Sequence, residues 1–152
     1  MIQPNFIAAY IIDPNANPEP LLLLLKRSPR DYLGGIWQIV TGRVEKGDST
    51  LKTVKKEVIE ETGLSVEKAH NVSVTHFYEK INDEVGFSAN FLVFADHKQK
   101  ITLSPYEHDE YIWCSIEKAK DLIAFANQKE TLDHINKYYL SQSPDNASLV
   151  TL

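Results

Sequence analysis

The chain has 152 residues, 43% of them hydrophobic, and a formal net charge of −5. That length suits one domain with a real core, and no window holds the roughly 18 consecutive apolar residues a membrane-spanning helix needs. The acidic balance argues against non-specific nucleic-acid binding, which needs basic patches, but not against a small anionic ligand held through divalent cations.

The first residues, MIQPNFIAAYII, lack a basic n-region and a small-residue cleavage site, so no signal peptide is expected. Cys114 is the single cysteine, which excludes an internal disulfide and fits a reducing cytoplasm, the expected location. Asn5 to Ile12 is rich in β-formers and stops at Asp13-Pro14. After the turn PNANPEP, the aliphatic run Leu21 to Leu25 reads as a second strand, followed by Lys26 and Arg27. A basic pair past a buried strand either contacts phosphate or is a solvated strand end. Ser28 to Gly35 is a polar loop, and Ile36 to Gly42 is a short strand feeding a glycine turn. Trp37 in that strand either stacks on a heterocycle or serves as a core aromatic, the commoner role.

The stretch from Gly42 to Leu64 is GRVEKGDSTLKTVKKEVIEETGL. Its pattern predicts a glycine turn, then a helix ending at Gly63. Leu51, Val54 and Val58 recur at i, i+3, i+7 and form the core-facing stripe. Glu57, Glu60 and Glu61 fall within roughly a 100° arc of another face. Like charges at i, i+4 destabilise a helix, and carboxylates at its C-terminal end oppose the dipole. A hard cation such as Mg²⁺ or Mn²⁺ relieves both, since it takes carboxylate oxygens. The plainer alternative is a solvated acidic face with Lys52, Lys55 and Lys56 as local partners.

Beyond the helix, His70 to Lys80 and Gly86 to His97 read as paired strands joined by a polar hairpin loop at 81–85. Phe87, Ala89, Phe91, Val93 and Ala95 alternate with Ser88, Asn90, Leu92 and Phe94, and the last two make both faces partly apolar, as in a strand covered from both sides. Residues 101–108 form a loop with Pro105, leading to the acidic cluster Glu107-His108-Asp109-Glu110 and the strand Tyr111-Ile112-Trp113. That cluster is either an exposed loop or the source of a fourth carboxylate swung toward a metal. Ser115 caps a short helix to Ile123, and Asn127 to Leu140 is a longer amphipathic helix with Leu132, Ile135, Tyr138 and Tyr139 inward. One domain is expected over residues 1–143, with a frayed tail at 144–152.

The central stretch resembles the signature of the Nudix hydrolase family, G-x5-E-x7-R-E-U-x-E-E-x-G-U, with U a bulky aliphatic. Gly42, Glu57, Val58, Glu60, Glu61, Gly63 and Leu64 match, while Asp48 stands at the first acidic position and Lys56 at the Arg position. The resemblance implies a Nudix-type α/β/α sandwich with a mixed sheet. It also implies a Mg²⁺- or Mn²⁺-dependent pyrophosphohydrolase whose metals sit on Glu57, Glu60, Glu61 and the Thr41 carbonyl. Glu107 is the further carboxylate the resemblance offers as ligand or base, and Lys56 the group holding the helical carboxylates. Arg27 and Arg43 would meet phosphates, with Trp37 and Gln38 beside the substrate.

Within the family, Trp37-Gln38 before Val40-Thr41-Gly42, Glu107-His108 before Tyr111-x-Trp113, and the Asn127-led last helix resemble the bacterial dihydroneopterin triphosphate diphosphatases, also called dATP pyrophosphohydrolases. They imply a nucleoside or pterin triphosphate cleaved to monophosphate and pyrophosphate by water attack at phosphorus. The alternatives are another nucleoside diphosphate derivative such as ADP-ribose, a non-catalytic nucleotide-sensing module, or a protein-interaction domain with an incidental acidic helix. The expected partner is the small molecule alone, without nucleic acid or membrane, on a monomer or homodimer.

Overall fold

The computed structural model describes residues 2–152. In chain order the elements are β1 (Phe6–Asp13), β2 (Leu21–Arg27), β3 (Trp37–Gln38), β4 (Val40–Arg43), α1 (Thr50–Thr62), β5 (Lys68–Glu79), β6 (Glu84–Phe94), β7 (His108–Ser115), α2 (Ile116–Leu122), α3 (Ala126–Ile135) and β8 (Leu149–Thr151). The strands form one mixed sheet along the path β3-β2-β1-β6-β5-β8, with β4 also on β1 and β7 also on β2. Among the described strands, β1 and β6 pair in parallel, from Phe6 opposite Ser88 to Ile12 opposite Phe94, and an isolated parallel bridge joins Trp37 to Ile123. Ala8, Leu23 and Phe91, expected within a sheet, all lie in it.

Both faces of the sheet are covered, which explains why β1 and β2 read as nearly unbroken apolar runs. Alternation sends Ile7, Ala9 and Ile11 to one core, under Val54 and Val58 of α1. It sends Ala8, Tyr10 and Ile12 to the other, under Ile116 and Ala119 of α2 and Leu132 and Ile135 of α3. Val54 and Val58 are fully buried, each contributing roughly 1.5–3 kcal/mol relative to exposure. This is the expected α/β/α sandwich. Among the described residues, no helix is long and apolar enough to cross a membrane.

Four local expectations are corrected. The segment expected to fray instead forms a 3₁₀ turn, Asn146–Ser148, and then β8, whose Leu149, Val150 and Thr151 pair with His70, Ala69 and Lys68. Val150 and Leu152 pack on the α1-side core, and the Asp145 carboxylate caps the turn by accepting from Ala147 N at 2.7 Å. Three alternating residues are too few for a periodicity to register. The last helix is α-helical only to Ile135 and continues as a π turn, Asn136–Leu140. That turn rotates Tyr138 outward to 45% exposure. The hairpin turn is tighter than 81–85, because pairing runs on to Tyr78 opposite Val85 and Glu79 opposite Glu84. β6 stops at Phe94, short of His97, whose backbone N–H and Nδ1 are both taken by the buried Asp13 carboxylate.

Candidate metal and active centre

The helix that carries the glutamates is fixed at both ends. Ser49 accepts from Lys52 N and starts it, while Gly63, at φ 73°, ends it in the left-handed conformation. Gly42 on β4 lets its C-terminal half lie close. A Cβ there would sit 2.4 Å from Glu57 Cγ. Glu61, one turn on, is 4% exposed and points inward.

Glu107 reaches the same place through two backbone tethers. Thr102 N donates to Thr62 O at 2.8 Å, tying the incoming loop to the end of α1, and Ser28 N donates to Glu107 O at 2.8 Å, tying its far side to the end of β2. Glu107 N and His108 N both turn back to Ser104 O, at 3.1 and 3.0 Å. The result brings one ligating atom each from Glu61, Glu107 and His108 within 4.8 Å of one another.

The electrostatics show an unbalanced site. Burial first, then the neighbouring Glu60, pushes the Glu57 carboxyl up to about 7, with Glu107 adding and Lys56 opposing. Burial, then Glu107 and Glu57, drives Glu61 well above the usual carboxylate range against the partial relief of Arg27. Glu61 Oε2 is buried and lacks a hydrogen-bond partner. Burial and the Arg27 charge lower His108 to about 4, so its ring is neutral at pH 7. An acceptor-only oxygen left bare among like charges is the chemistry of a site for a hard cation, and the donor set fits Mg²⁺ or Mn²⁺.

Several expected site residues converge here. Arg27 donates from Nη2 to Asp31 at 2.7 Å and from Nη1 to Gln38 Oε1 at 3.3 Å. Gln38, 3% exposed, places its Nε2 3.4 Å from His108 Nε2. Thr41, opposite Ala8 on β4, immediately precedes Gly42. Glu60 stays on the exposed flank of α1. Others are not brought in. Trp37 and Arg43 alternate onto the opposite face of the sheet from Gln38 and Gly42. There Trp37 packs on the α3-side core with Lys26 over its ring, and Arg43 pairs with Glu79 at 2.8 Å above Phe6. Lys56 Nζ lies 3.4 Å from Glu45 and does not clasp the helical glutamates, because its own helix points it toward the turn after β4. Asp48 is engaged by Lys52 at 2.5 Å. His108 is the residue the sequence underrated. Its sequence signals were adjacency to Glu107 and the Glu107-His108 pairing before Tyr111-x-Trp113, and its burial comes from the register that sets it opposite Arg27.

A NUDIX domain model matches residues 1–135. The chain belongs to the Nudix family. Among characterised relatives it is 30% identical over 118 residues to an octanoyltransferase of Myxococcus xanthus, a match covering 76% of this chain and 32% of that protein. The chain therefore spans about a third of that relative's length. It is 27% identical over 110 residues to the asymmetrical bis(5'-nucleosyl)-tetraphosphatase of Mus musculus, covering 69% and 73%. Among solved structures, a C. elegans Ap4A hydrolase complex superposes with a TM-score of 0.75 at 19% identity, covering 87% and 94% of the two chains. The E. coli dihydroneopterin triphosphate pyrophosphohydrolase superposes with 0.73 at 19% identity, covering 90% and 95%. At such identities the superpositions speak for the shared fold.

Proposed function

We propose that this Nudix enzyme hydrolyses a nucleoside or pterin triphosphate to the monophosphate and pyrophosphate, by attack of water at phosphorus. The observation that carries the reading is the buried, unpartnered Glu61 carboxylate facing Glu107 across a site otherwise short of positive charge. Glu57, Glu60, Glu61 and Glu107, with the Thr41 carbonyl, would hold Mg²⁺ or Mn²⁺. When bound, such ions activate water and neutralise charge on the phosphate oxygens. The helix and the doubly tethered loop hold the carboxylates in place before substrate arrives, so no reorganisation is needed at the moment of reaction. Glu107 or a glutamate of α1 takes the proton from the attacking water, a role that contributes on the order of 10²–10⁴ in rate. Arg27 tempers the acidic cluster from behind.

A second reading, a dinucleoside tetraphosphate as substrate, is favoured by the tetraphosphatase relative and the Ap4A hydrolase superposition. A substrate panel with Mg²⁺ separates the two. Dihydroneopterin triphosphate or dATP giving pyrophosphate supports the first, and Ap4A giving ATP and AMP supports the second. ADP-ribose as the one substrate turned over would overturn both. No turnover of any member with Mg²⁺ or Mn²⁺ would leave a nucleotide-sensing module.

A further inference from the structure

Arg27 has N–H donors and no acceptor, so the Gln38 atom 3.3 Å from its Nη1 is the amide oxygen. The orientation of that amide is thereby fixed. Its NH₂ then faces His108 Nε2 at 3.4 Å. An amide NH₂ donates and cannot accept, so His108 Nε2 presents its lone pair. A neutral imidazole with its lone pair on Nε2 carries its proton on Nδ1. His108 Nδ1 is buried and has no partner, and so is Glu61 Oε2. These two bare atoms sit on residues of one cluster, in which one ligating atom each of His108, Glu61 and Glu107 lie within 4.8 Å of each other.

We infer that Gln38 is a positioning residue that fixes His108 as the Nδ1–H tautomer, so that the ring presents a hydrogen-bond donor to the metal-binding carboxylates Glu61 and Glu107. This rests on the reading of those carboxylates as metal ligands. The chain of contacts begins at Asp31, which accepts from Arg27 Nη2 at 2.7 Å and from Leu33 N at 3.3 Å, and passes through Arg27, Gln38 and His108. Each member has a single way to point, because each neighbour upstream can only donate or only accept at the shared contact. The donor at the end is free among the described residues, and with a cation on the carboxylates it would be available to one of their oxygens while the other holds the ion. It also keeps His108 itself off the metal, since a protonated Nδ1 has no lone pair to give. The site stays all-oxygen, which suits a hard cation. Gln38, at 3% exposure, therefore acts through the ring and not by touching substrate.

The test needs no substrate. In long-range ¹⁵N–¹H spectra of the metal-free, ¹⁵N-histidine-labelled protein at neutral pH, His108 should show a protonated Nδ1 and a bare, pyridine-like Nε2. A proton on Nε2 overturns the proposal. Gln38→Met keeps shape and volume but removes the donor. It should mix the two tautomers and weaken Mn²⁺ binding, read from the free-ion EPR signal, by about 10–100-fold, the usual effect of losing an outer-shell partner. Unchanged Mn²⁺ affinity in a folded Gln38→Met protein overturns the proposal. His108→Asn, which can place an amide N–H near the former Nδ1, should retain more Mn²⁺ affinity than His108→Leu. Equal losses in the two overturn the donor role. If the wild type binds no Mn²⁺, the metal-ligand reading falls, whereas the tautomer assignment stands or falls on the spectrum alone.

Discussion

Gly42→Ala isolates the metal geometry from the fold. Gly42 is not among the glycines with positive φ, so the backbone accepts alanine. The added Cβ would stand 2.4, 2.6 and 2.9 Å from Glu57 Cγ, Cδ and Oε1. Carbon atoms in contact prefer about 3.5–4.0 Å, so the Glu57 side chain must retreat by about 1 Å. Leaving its rotamer costs about 0.5–1.5 kcal/mol, which the reduced freedom of the unfolded chain offsets by about 0.4–1 kcal/mol. The melting temperature of the metal-free protein should therefore move by no more than about 2–4 °C. Displacing a ligand by that distance should cost on the order of 10² in turnover and raise the Mg²⁺ concentration needed for half-maximal rate. Calorimetry of the metal-free protein and a Mg²⁺ titration of the pyrophosphate-release assay measure the two effects. Activity within twofold of wild type at unchanged Mg²⁺ dependence would refute the placement of Glu57 beside Gly42 as a metal-ligand contact.

Glu61→Gln should abolish metal-dependent turnover yet raise the melting temperature without metal, because it removes a buried charge set among Glu57 and Glu107; a lower melting temperature with retained activity would contradict this. Glu57 titrates near 7 when folded and near 4.5 when unfolded, so its contribution to stability is present below pH 4.5 and lost as pH rises through 7. The carboxylates of Asp13, Asp31 and Glu79, held low by their partners, act in the opposite sense and have finished by about pH 6. His108, lowered to about 4, and His70, lowered by burial, add an opposing rise that ends near pH 7, so the comparison isolates Glu57: the metal-free stability of wild type relative to Glu57→Gln should fall as pH rises from 4.5 through 7. Mg²⁺ at about 100 times its Kd should add about 2.7 kcal/mol at pH 7.5; a thermal shift blind to Mg²⁺ would count against the site. Glu107→Gln should lower kcat far more than it raises KM, whereas Glu110→Gln, whose carboxylate pairs with Lys26 at 2.7 Å on β2, should be tolerated. Loss of kcat in Glu110→Gln with full kcat in Glu107→Gln would show the wrong carboxylate had been chosen.

The sandwich was legible because both signals behind it are local. Val54 and Val58 keep helical period, and the double-faced apolar runs of β1 and β2 announce cover on both sides. The α1 glutamates were expected together because three positions on one helix share a face by geometry, whereas the structure turns Glu61 inward and leaves Glu60 on the exposed flank, a difference set by packing and not by helical spacing. Glu107 was legible as a candidate but its placement was not, because the two tethers that fix it are backbone hydrogen bonds with no side-chain signature. The fates of Arg43 and Trp37 turn on strand parity. Unbroken alternation from Trp37 through Ile39 to Arg43 puts all three on the face away from α1, and nothing in the sequence alone says which face α1 would cover. The place of His108 in the structure follows from pairing across from Arg27 and from the amide of Gln38, neither of which its local sequence announces.

The tethers on the Glu107 loop have a consequence for how freely this segment can vary. Thr102 and Ser28 are joined to their partners through main-chain atoms, so replacing the side chains of residues 103–106 leaves both anchors intact. Adding or deleting a residue between them would not, because the span from Thr102 to Glu107 must bridge a fixed gap between the end of α1 and the end of β2. Drift in the composition of this loop is therefore cheap, and change in its length is not. A library that randomises residues 105 and 106 should yield mostly active proteins, since Leu103 packs on the core, while single-residue insertions in this loop should detach the carboxylate from its site.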